Sequence, residues 1–511
     1  MSFSTVMSAA IEGLHVEPVC VEADISNGLP VFHMVGYLSS EVKEASERVR
    51  TAIHNSGILI PAKKIIINLA PATVRKRGAA FDLPIALALL SALGEVPAEN
   101  FRNTVVIGEM SLDGRVREVK GVLPIVGEAK KMGYDRCILP KGNALEGALT
   151  EGIQIIGVES LRQMVDYLRG EEKLFPENNS EWEKYTNRHT DMIDFSDIQG
   201  QESVKRAVEV AVSGGHNFLL IGPPGSGKSM IARRIPTILP LPAHAESLEI
   251  TKIYSVLGLV DQKHPLITGR PFRSVHHTVT KSALIGGGVI PAPGEISLAH
   301  GGVLFLDELA EFKKSVLEVL RQPLEERKIH INRAHGSYVF PSNFILAAAM
   351  NPCPCGNFPD FSKCSCTPWQ IQQYLARISQ PFLDRIDICV EAPRIRYEEM
   401  RERNEQESSA DIQRRVEAAR IIQHKRYEGT EIRSNAMLGV RQIEEFCRLQ
   451  SEEEDLMKQA FTSLNLTART YHKILKVART IADMEGAEEI RTPHLKEAIG
   501  YRTVDKKYWG R

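Results

Sequence analysis

Gly222-Pro223-Pro224-Gly225-Ser226-Gly227-Lys228-Ser229 is the stretch on which the fold of this chain turns. It satisfies G-x-x-x-x-G-K-[ST] at every position. Phe218-Leu-Leu-Ile221 before it reads as a buried strand, and Ser229 to Ile235 begins a helix. That strand–loop–helix context is what a phosphate-binding loop requires. Glycines 222, 225 and 227 let backbone N–H groups turn towards phosphate oxygens. Lys228 supplies a cation for the β- and γ-phosphates, and Ser229 offers its hydroxyl to Mg²⁺. The eight residues are therefore assigned to ATP, with Mg²⁺ as its companion ion.

Three further apolar runs end in residues suited to the same chemistry. Val303-Leu-Phe-Leu306 leads into Asp307-Glu308. Asp307 there can hold Mg²⁺, and Glu308 can act as general base towards the attacking water. The bland alternative is an acidic pair capping a strand. Phe344-Ile-Leu-Ala-Ala-Ala-Met350 ends at Asn351, placed to hydrogen-bond the γ-phosphate or the lytic water; a loop asparagine before Pro352 is the alternative. Pro381-Phe-Leu-Asp384-Arg385-Ile-Asp387 carries an arginine of the kind that reaches a neighbouring subunit's nucleotide, unless Arg385 only pairs with an aspartate to hold the loop. Leu466-Thr467-Ala-Arg469 opens a long helix, with Thr467 as its cap and Arg469 near its start, directed at nucleotide. An arginine finger works only between subunits, so a homo-hexameric ring is the expected assembly.

The chain has 511 residues, enough for two to four domains. Its formal net charge of −1 provides no global field towards nucleic acid or anionic lipid, so any nucleic-acid surface must be local. No apolar run reaches the roughly 18–20 residues of a membrane span. Met1-Ser-Phe-Ser-Thr-Val-Met-Ser8 lacks the basic-then-apolar layout of a signal peptide. A cytoplasmic location follows, in which the eight cysteines are reduced or metal-bound rather than disulfide-linked.

Four segments are expected. Residues 1–170 alternate strand patterns (Val16–Ile25, Lys64–Leu69, Thr104–Gly108) with helical ones (Glu41–Ile53, Leu83–Leu93, Leu123–Met132), which predicts an α/β domain. Residues 171–192 are polar and aperiodic, a linker. Residues 193–395 mix strands and helices again. Residues 396–511 read as helices only: Ile412–Tyr427, Val440–Arg448, Glu452–Ser463, Thr467–Glu485 and Pro493–Tyr501. Thr492-Pro493 is a start signal, a hydroxyl cap followed by proline at the first helical position.

With these residues assembled, the chain resembles the YifB/ComM family of Mg-chelatase-like AAA+ ATPases along nearly its full length. The most specific stretches are Pro271-Phe-Arg-Ser-Val-His276-His277-Thr, the run from Gly286 to Glu308, and Ala347-Ala-Ala-Met-Asn-Pro-Cys-Pro-Cys-Gly356. Val275 departs from the proline expected before the histidine pair. The resemblance implies a P-loop AAA+ module with a helical lid. It also implies a DNA motor, since the ComM branch resembles a hexameric helicase driving branch migration during natural transformation. Two other functions stay open: a chelatase-type motor that inserts Mg²⁺ into a porphyrin, and a protein-remodelling or scaffold AAA+ protein.

Gly108-Glu-Met-Ser-Leu-Asp-Gly114-Arg-Val-Arg117 and the helix after it resemble the proteolytic domain of Lon, a ribosomal S5 domain 2-like α/β fold. The resemblance puts the catalytic serine position on Ala80 and the lysine position on Leu123. Neither can do nucleophilic chemistry, so no protease activity is expected. The recombination protein RadA carries a similarly disabled domain, and ring assembly and DNA contact are the roles implied. Arg75-Lys76-Arg77 is a basic cluster that either touches phosphates or is a solvated loop.

Lys328-Ile-His-Ile-Asn-Arg333-Ala-His335-Gly-Ser-Tyr-Val-Phe340 has a hairpin pattern. Chelatase-like and MCM-like ATPases carry a pore hairpin at this place, so Lys328, Arg333 and His335 are candidate DNA contacts. Ser282 to Gly294 resembles the helix-2 insert of that clade. His276 and His277 before it suit a core or helix-end role as well as a DNA contact. Finally, Cys353-Pro-Cys355 and Cys364-Ser-Cys366 place four thiols within fourteen residues, a set that suits tetrahedral Zn²⁺. Four reduced loop cysteines or a redox-sensitive pair are the alternatives. Cys20, Cys137, Cys389 and Cys447 read as core.

Overall fold

A computed structural model describes residues 2–178, 193–288, 291–333, 336–394 and 406–510. The first part holds β1 (Ser2–Glu12), β2 (His15–Ser26), β3 (Val31–Val35), β4 (Lys64–Ala70), β5 (Thr104–Val106), β6 (Glu109–Met110), β7 (Val116–Arg117), β8 (Arg136–Pro140) and β9 (Gln154–Val158). Seven of these form one sheet in the order β3-β4-β2-β1-β5-β8-β9, while β6 and β7 pair with each other. β1 and β2 make a long antiparallel hairpin from Ser2↔Ile25 to Glu12↔His15, closed by Gly13-Leu14. The helix Asp82–Ala92 lies against it and buries every residue but Ser91. A helix apolar all round belongs inside a fold, and each buried Leu or Ile there contributes about 1.5–3 kcal/mol. Its one buried charge, Asp82, is matched by Arg48, whose Nε and Nη2 donate at 2.8 and 2.9 Å.

The second part carries β10 (Phe218–Ile221), β11 (Phe272–Val275), β12 (Gly286–Gly287), β13 (Ala292–Pro293), β14 (Val303–Leu306), β15 (Lys328–Arg333), β16 (Gly336–Pro341), β17 (Ile345–Met350) and β18 (Ile388–Glu391). A five-stranded parallel sheet runs β11-β14-β17-β10-β18. β10, β14 and β17 are buried at every residue, because helices cover both faces of a parallel sheet. Parallel register gives the sheet two chemically different edges. The carboxyl ends at Ile221, Leu306, Met350 and Glu391 share one edge. Asn217, Gly302, Phe344 and Asp387, just before the strands, share the other.

The third part is helical among the described residues: Ser409–Arg426, Val440–Phe446, Ser451–Ser463, Ala468–Met484 and Thr492–Trp509. Buried Asp483 ties three of its segments together, accepting from Arg426 Nη1 (2.8 Å), Asn435 Nδ2 (2.8 Å) and Arg479 Nε (3.1 Å). No helix among the described residues is long and apolar enough to cross a membrane.

Several expectations are adjusted. The helix expected over Glu41–Ile53 is interrupted at Glu44, giving Ser40–Lys43 and Ala45–Asn55. The last helix continues eight residues past Tyr501. Its start is shifted by one: Arg491 holds the cap position, and the Thr492 hydroxyl bonds Glu453 Oε1 at 2.7 Å instead. Of the expected linker, Glu177 donates its N–H to Ile155 O at 2.8 Å, so the chain still runs along β9 there; 179–192 lie outside the described residues. Lys76 is not a surface cation. It is fully buried, with Nζ on the carbonyl of Pro71, and burial pulls its pKa down. Only Arg75 and Arg77 of that cluster keep partial exposure, Arg75 over the ring of Tyr37 at 5.5 Å.

Candidate nucleotide site and its surroundings

The loop 222–229 follows β10 at the carboxyl edge, and the helix Lys228–Ile238 starts from Gly227 in a left-handed conformation at φ +79°. Only a residue without Cβ takes that turn freely. Ser229 Oγ donates to Asp307 Oδ2 at 2.6 Å, joining the end of β10 to the end of β14. Asn351, at the end of β17, accepts from Lys228 Nζ at 3.2 Å. Lys228 also donates to the carbonyls of Gly222 (2.7 Å) and Pro223 (2.8 Å), and burial pulls its pKa to about 8 against the opposing attraction of Asp307. The loop, the hydroxyl, the carboxylate and the amide thus converge. Ser229 and Asp307 fit Mg²⁺: a hydroxyl and a carboxylate oxygen in contact, the hard donor set such an ion takes.

Glu308 follows in a left-handed conformation at φ +53°, unusual for a residue with a side chain. Its carboxylate Oε2 lies 3.3 Å from His277 Nδ1. His277 lies beside His276, ring centroids 4.0 Å apart and planes tilted by 35°, with Phe312 edge-on at 6.4 Å. The sequence offered no assignment of this pair, because it arises from two neighbouring strand ends, β11 and β14. The one available signal was the position of His276-His277 directly after a strand of the same sheet.

Arg385 and Arg469 lie elsewhere. Both line a cavity of about 370 Å³ with Asn217, Asp384 and Asp387, at the amino edge of the sheet, and no residue of the loop 222–229 lines it. Arg469 Nη1 stands 4.0 Å from Asp384 Oδ2, with its side chain 64% exposed. Arg385 is buried, donating Nη1 to Pro381 O (2.6 Å) and pairing through Nη2 with Glu325. Deeper in, Lys473 Nζ is 3.3 Å from Asp387 Oδ1. Burial opposes charge on Asp387, yet Lys473 and His216 hold its carboxyl well below the usual range.

β15 and β16 form the expected hairpin, from Lys328↔Pro341 to Arg333↔Gly336. Ile329, Ile331, Tyr338 and Phe340 are buried, while Lys328, His330, Asn332 and Arg333 face out. Its third candidate, His335, lies outside the described residues. Gly13 abuts the hairpin: a Cβ there would sit 3.0 Å from Tyr338 and 3.3 Å from Phe340. At the other end Gly287, in the β12–β13 pair, is as near to Arg333 Nη2, 3.1 Å from a built Cβ.

Cys353, Cys355, Cys364 and Cys366 bring their sulfurs within 4.8 Å of one another. Three separations are 3.4, 3.8 and 3.5 Å. Four thiolates about 2.3 Å from a central Zn²⁺ stand about 3.8 Å apart, and a disulfide needs about 2.05 Å. The spacing thus fits a tetrahedral metal and not a bridge. The Phe358 N–H donates to Cys353 Sγ at 3.4 Å.

In the first domain Leu123 is buried against Leu149 and Leu266, sealing the contact with the helix His244–Leu257. Beside it, buried Glu146 accepts from the Leu123 N–H (3.0 Å) and the Ser255 hydroxyl (2.5 Å). Ala80 offers its carbonyl to Gly108 N.

Three family models match the chain: Magnesium chelatase, subunit ChlI, over residues 194–400; Subunit ChlI of Mg-chelatase over 21–143; and Magnesium chelatase, subunit ChlI C-terminal, over 406–502. The uncharacterized protein YifB of Escherichia coli (strain K12) is 42% identical over 507 residues, covering 99% of this chain and 98% of its own. Competence protein ComM of Haemophilus influenzae is 40% identical over 506 residues, covering 99% and 98%. Lon protease 2 of Bacillus subtilis is 32% identical over 157 residues, 28% of this chain and 27% of its own.

Proposed function

Because the chain belongs to the YifB/ComM family of Mg-chelatase-like AAA+ proteins, we propose that it is an ATP-driven, ring-forming DNA motor, a branch-migration helicase or translocase of recombination or natural transformation. The observation that carries the proposal is the division of labour between the two sheet edges. Lys228, Ser229, Asp307 and Asn351 meet at the carboxyl edge, and Arg385 and Arg469 gather at the amino edge. One chain cannot bring its own arginines round its sheet, whereas a neighbour in a ring can present that edge to the nucleotide. Arg469, the exposed member, is the guanidinium available for this; Arg385 would first have to leave Glu325.

Hydrolysis then proceeds as follows. The loop amides and Lys228 hold the phosphates. Ser229 and Asp307 would hold Mg²⁺, which would supply positive charge to the phosphate oxygens. Asn351 orients a water, Glu308 takes its proton as the oxygen attacks the γ-phosphorus, and the bond to the ADP oxygen breaks. The neighbour's arginine stabilises the charge spread over the transferring group. His277 keeps Glu308 away from this task until it is released. The outward face of the β15–β16 hairpin, with Lys328 and Arg333, supports the DNA part, as does the competence role named for the Haemophilus relative. The four cysteines would hold Zn²⁺ through four thiolates, which suits a structural rather than a catalytic role. Ala80 and Leu123 leave the Lon-like domain without a protease dyad, and its buried contact with the ATPase module supports a structural role.

A chelatase-type motor is the second reading, favoured by the descriptions of the matching family models. The ATPase rate without DNA and with single-stranded, duplex and four-way DNA separates the two. A several-fold stimulation, strongest on branched or single-stranded DNA, is expected. Indifference to every DNA overturns the motor reading.

A further inference from the structure

The cysteine loop does more than fold on itself: it touches the nucleotide loop. Cys353 lies two residues after Asn351, the amide that accepts from Lys228. Gly356, between the two cysteine pairs, rests on Pro224: a Cβ built there would lie 2.3 Å from Pro224 Cδ. Its φ of +79° independently demands glycine. Pro224 and Gly225 are otherwise exposed at the crest of the nucleotide loop. On its far side the cysteine loop meets the lid. Phe358 is edge-on to Tyr508 of the last helix at 5.9 Å, and Asn357 Oδ1 accepts at 3.0 Å from Arg394, which follows β18 in the ATPase core.

We propose that this four-thiolate centre is a strut for the ATP loop, so that metal occupancy and ATP affinity are thermodynamically coupled. The proposal rests on the cysteines holding a thiophilic divalent cation. Residues 357–366 contribute little apolar burial of their own, and Phe361 is 72% exposed. Beyond the contacts of Asn357 and Phe358, the ordering of such a segment would come from cross-links, and four metal–thiolate bonds would supply them. Without them Gly356 no longer holds its place against Pro224, and the loop must be ordered by ATP itself. Coupling of this kind is reciprocal: whatever factor the metal adds to ATP affinity, ATP adds to metal affinity.

The test uses the full chain. Metal content is measured as purified. The metal is then withdrawn with an organomercurial, the thiols are regenerated, and affinity for a fluorescent ATP analogue is compared before and after reloading with Zn²⁺. Metal removal is expected to weaken nucleotide binding on the order of tenfold, and saturating ATP to weaken transfer of zinc to a chromogenic chelator at equilibrium by the same factor. Less than half an equivalent of metal in the purified protein defeats the zinc reading and the coupling with it. A full equivalent with ATP affinity unchanged on removal defeats the coupling alone. Pro224→Ala guards against mere unfolding of the metal-free protein. It retains its metal, and its ATP affinity is expected to change less than twofold on metal removal. An undiminished response in Pro224→Ala also overturns the proposal.

Discussion

Arg469 and Asp384 face one another, Nη1 to Oδ2 at 4.0 Å, on the edge of the parallel sheet opposite the one where Lys228 meets Asn351. The strand between those edges, β10, begins directly after Asn217, a lining residue of the arginine cavity, and ends directly before the nucleotide loop. Under the proposed function, an arginine placed there serves the nucleotide of a neighbouring chain.

Subunit mixing checks this. Arg469→Ala alone is expected to lose about 10³–10⁵ of the ATPase rate with little change in Tm, since its side chain is mostly in solvent. Lys228→Ala alone is expected to be inactive. Mixed in equal amounts, the two restore about a quarter of the wild-type rate, because one interface in four joins an intact loop to an intact arginine. A mixture no faster than the sum of its parts means that Arg469 acts within its own chain or not at all.

Glu308 and His277 lead to a second expectation. Under the proposed function, the left-handed Glu308, whose carboxylate lies 3.3 Å from His277 Nδ1, is a base kept at rest. His277→Ala frees it, and the DNA-independent ATPase rate is expected to rise several-fold while the ratio of stimulated to basal rate falls. Glu308→Gln is expected to abolish turnover with nucleotide binding retained. If His277→Ala leaves the ratio of rates unchanged, His277 only packs against Phe312.

Much of this was legible in the chain. Phe218–Ile221, Val303–Leu306 and Ile345–Met350 are unbroken apolar runs because a parallel sheet buries both faces, and the residues that end them are linked through the loop, Gly222 and Asn351 by Lys228 and Asp307 by Ser229. What stayed hidden depends on placement in space rather than on local pattern. Nothing near Arg469 says which edge of the sheet its helix abuts. The His277–Glu308 pair needs the β11–β14 pairing to be known. Lys76 reads as charge in the sequence, whereas its burial follows from the fold of the loop around Pro71. The final helix outran Tyr501 because residues 502–509 are mostly polar in sequence, and the packing of Val504, Tyr508 and Trp509 against the core beside β18 shows only in the fold.

The hairpin gives the test of DNA contact. Arg333 sits at its outer end, next to Gly287 of the β12–β13 pair, while Gly13 of the first domain braces Tyr338 on its buried face. Arg333→Glu is expected to weaken DNA-stimulated ATPase at least tenfold and basal ATPase less than twofold, with the salt dependence of DNA binding reduced. Equal loss of both rates argues that Arg333 supports the module rather than the nucleic acid.

The last expectation concerns protons. Burial sets Lys228 to about 8 in the nucleotide-free protein, outweighing the attraction of Asp307. About nine-tenths of the side chain is then charged at pH 7 and about one-tenth at pH 9. ATP requires the charged form. Its terminal phosphate, with a second pKa near 6, is fully ionised at pH 9 and about nine-tenths ionised at pH 7. Binding must therefore take up close to one proton at pH 9 and close to none at pH 7, where the phosphate releases about as much as Lys228 gains, and the apparent Kd should rise about tenfold per pH unit above 8. Titration calorimetry in two buffers of different ionisation enthalpy measures the uptake directly. Uptake near zero at pH 9 would mean that Lys228 keeps its charge when the loop is empty, and that its contacts with the carbonyls of Gly222 and Pro223 are those of a full ammonium ion.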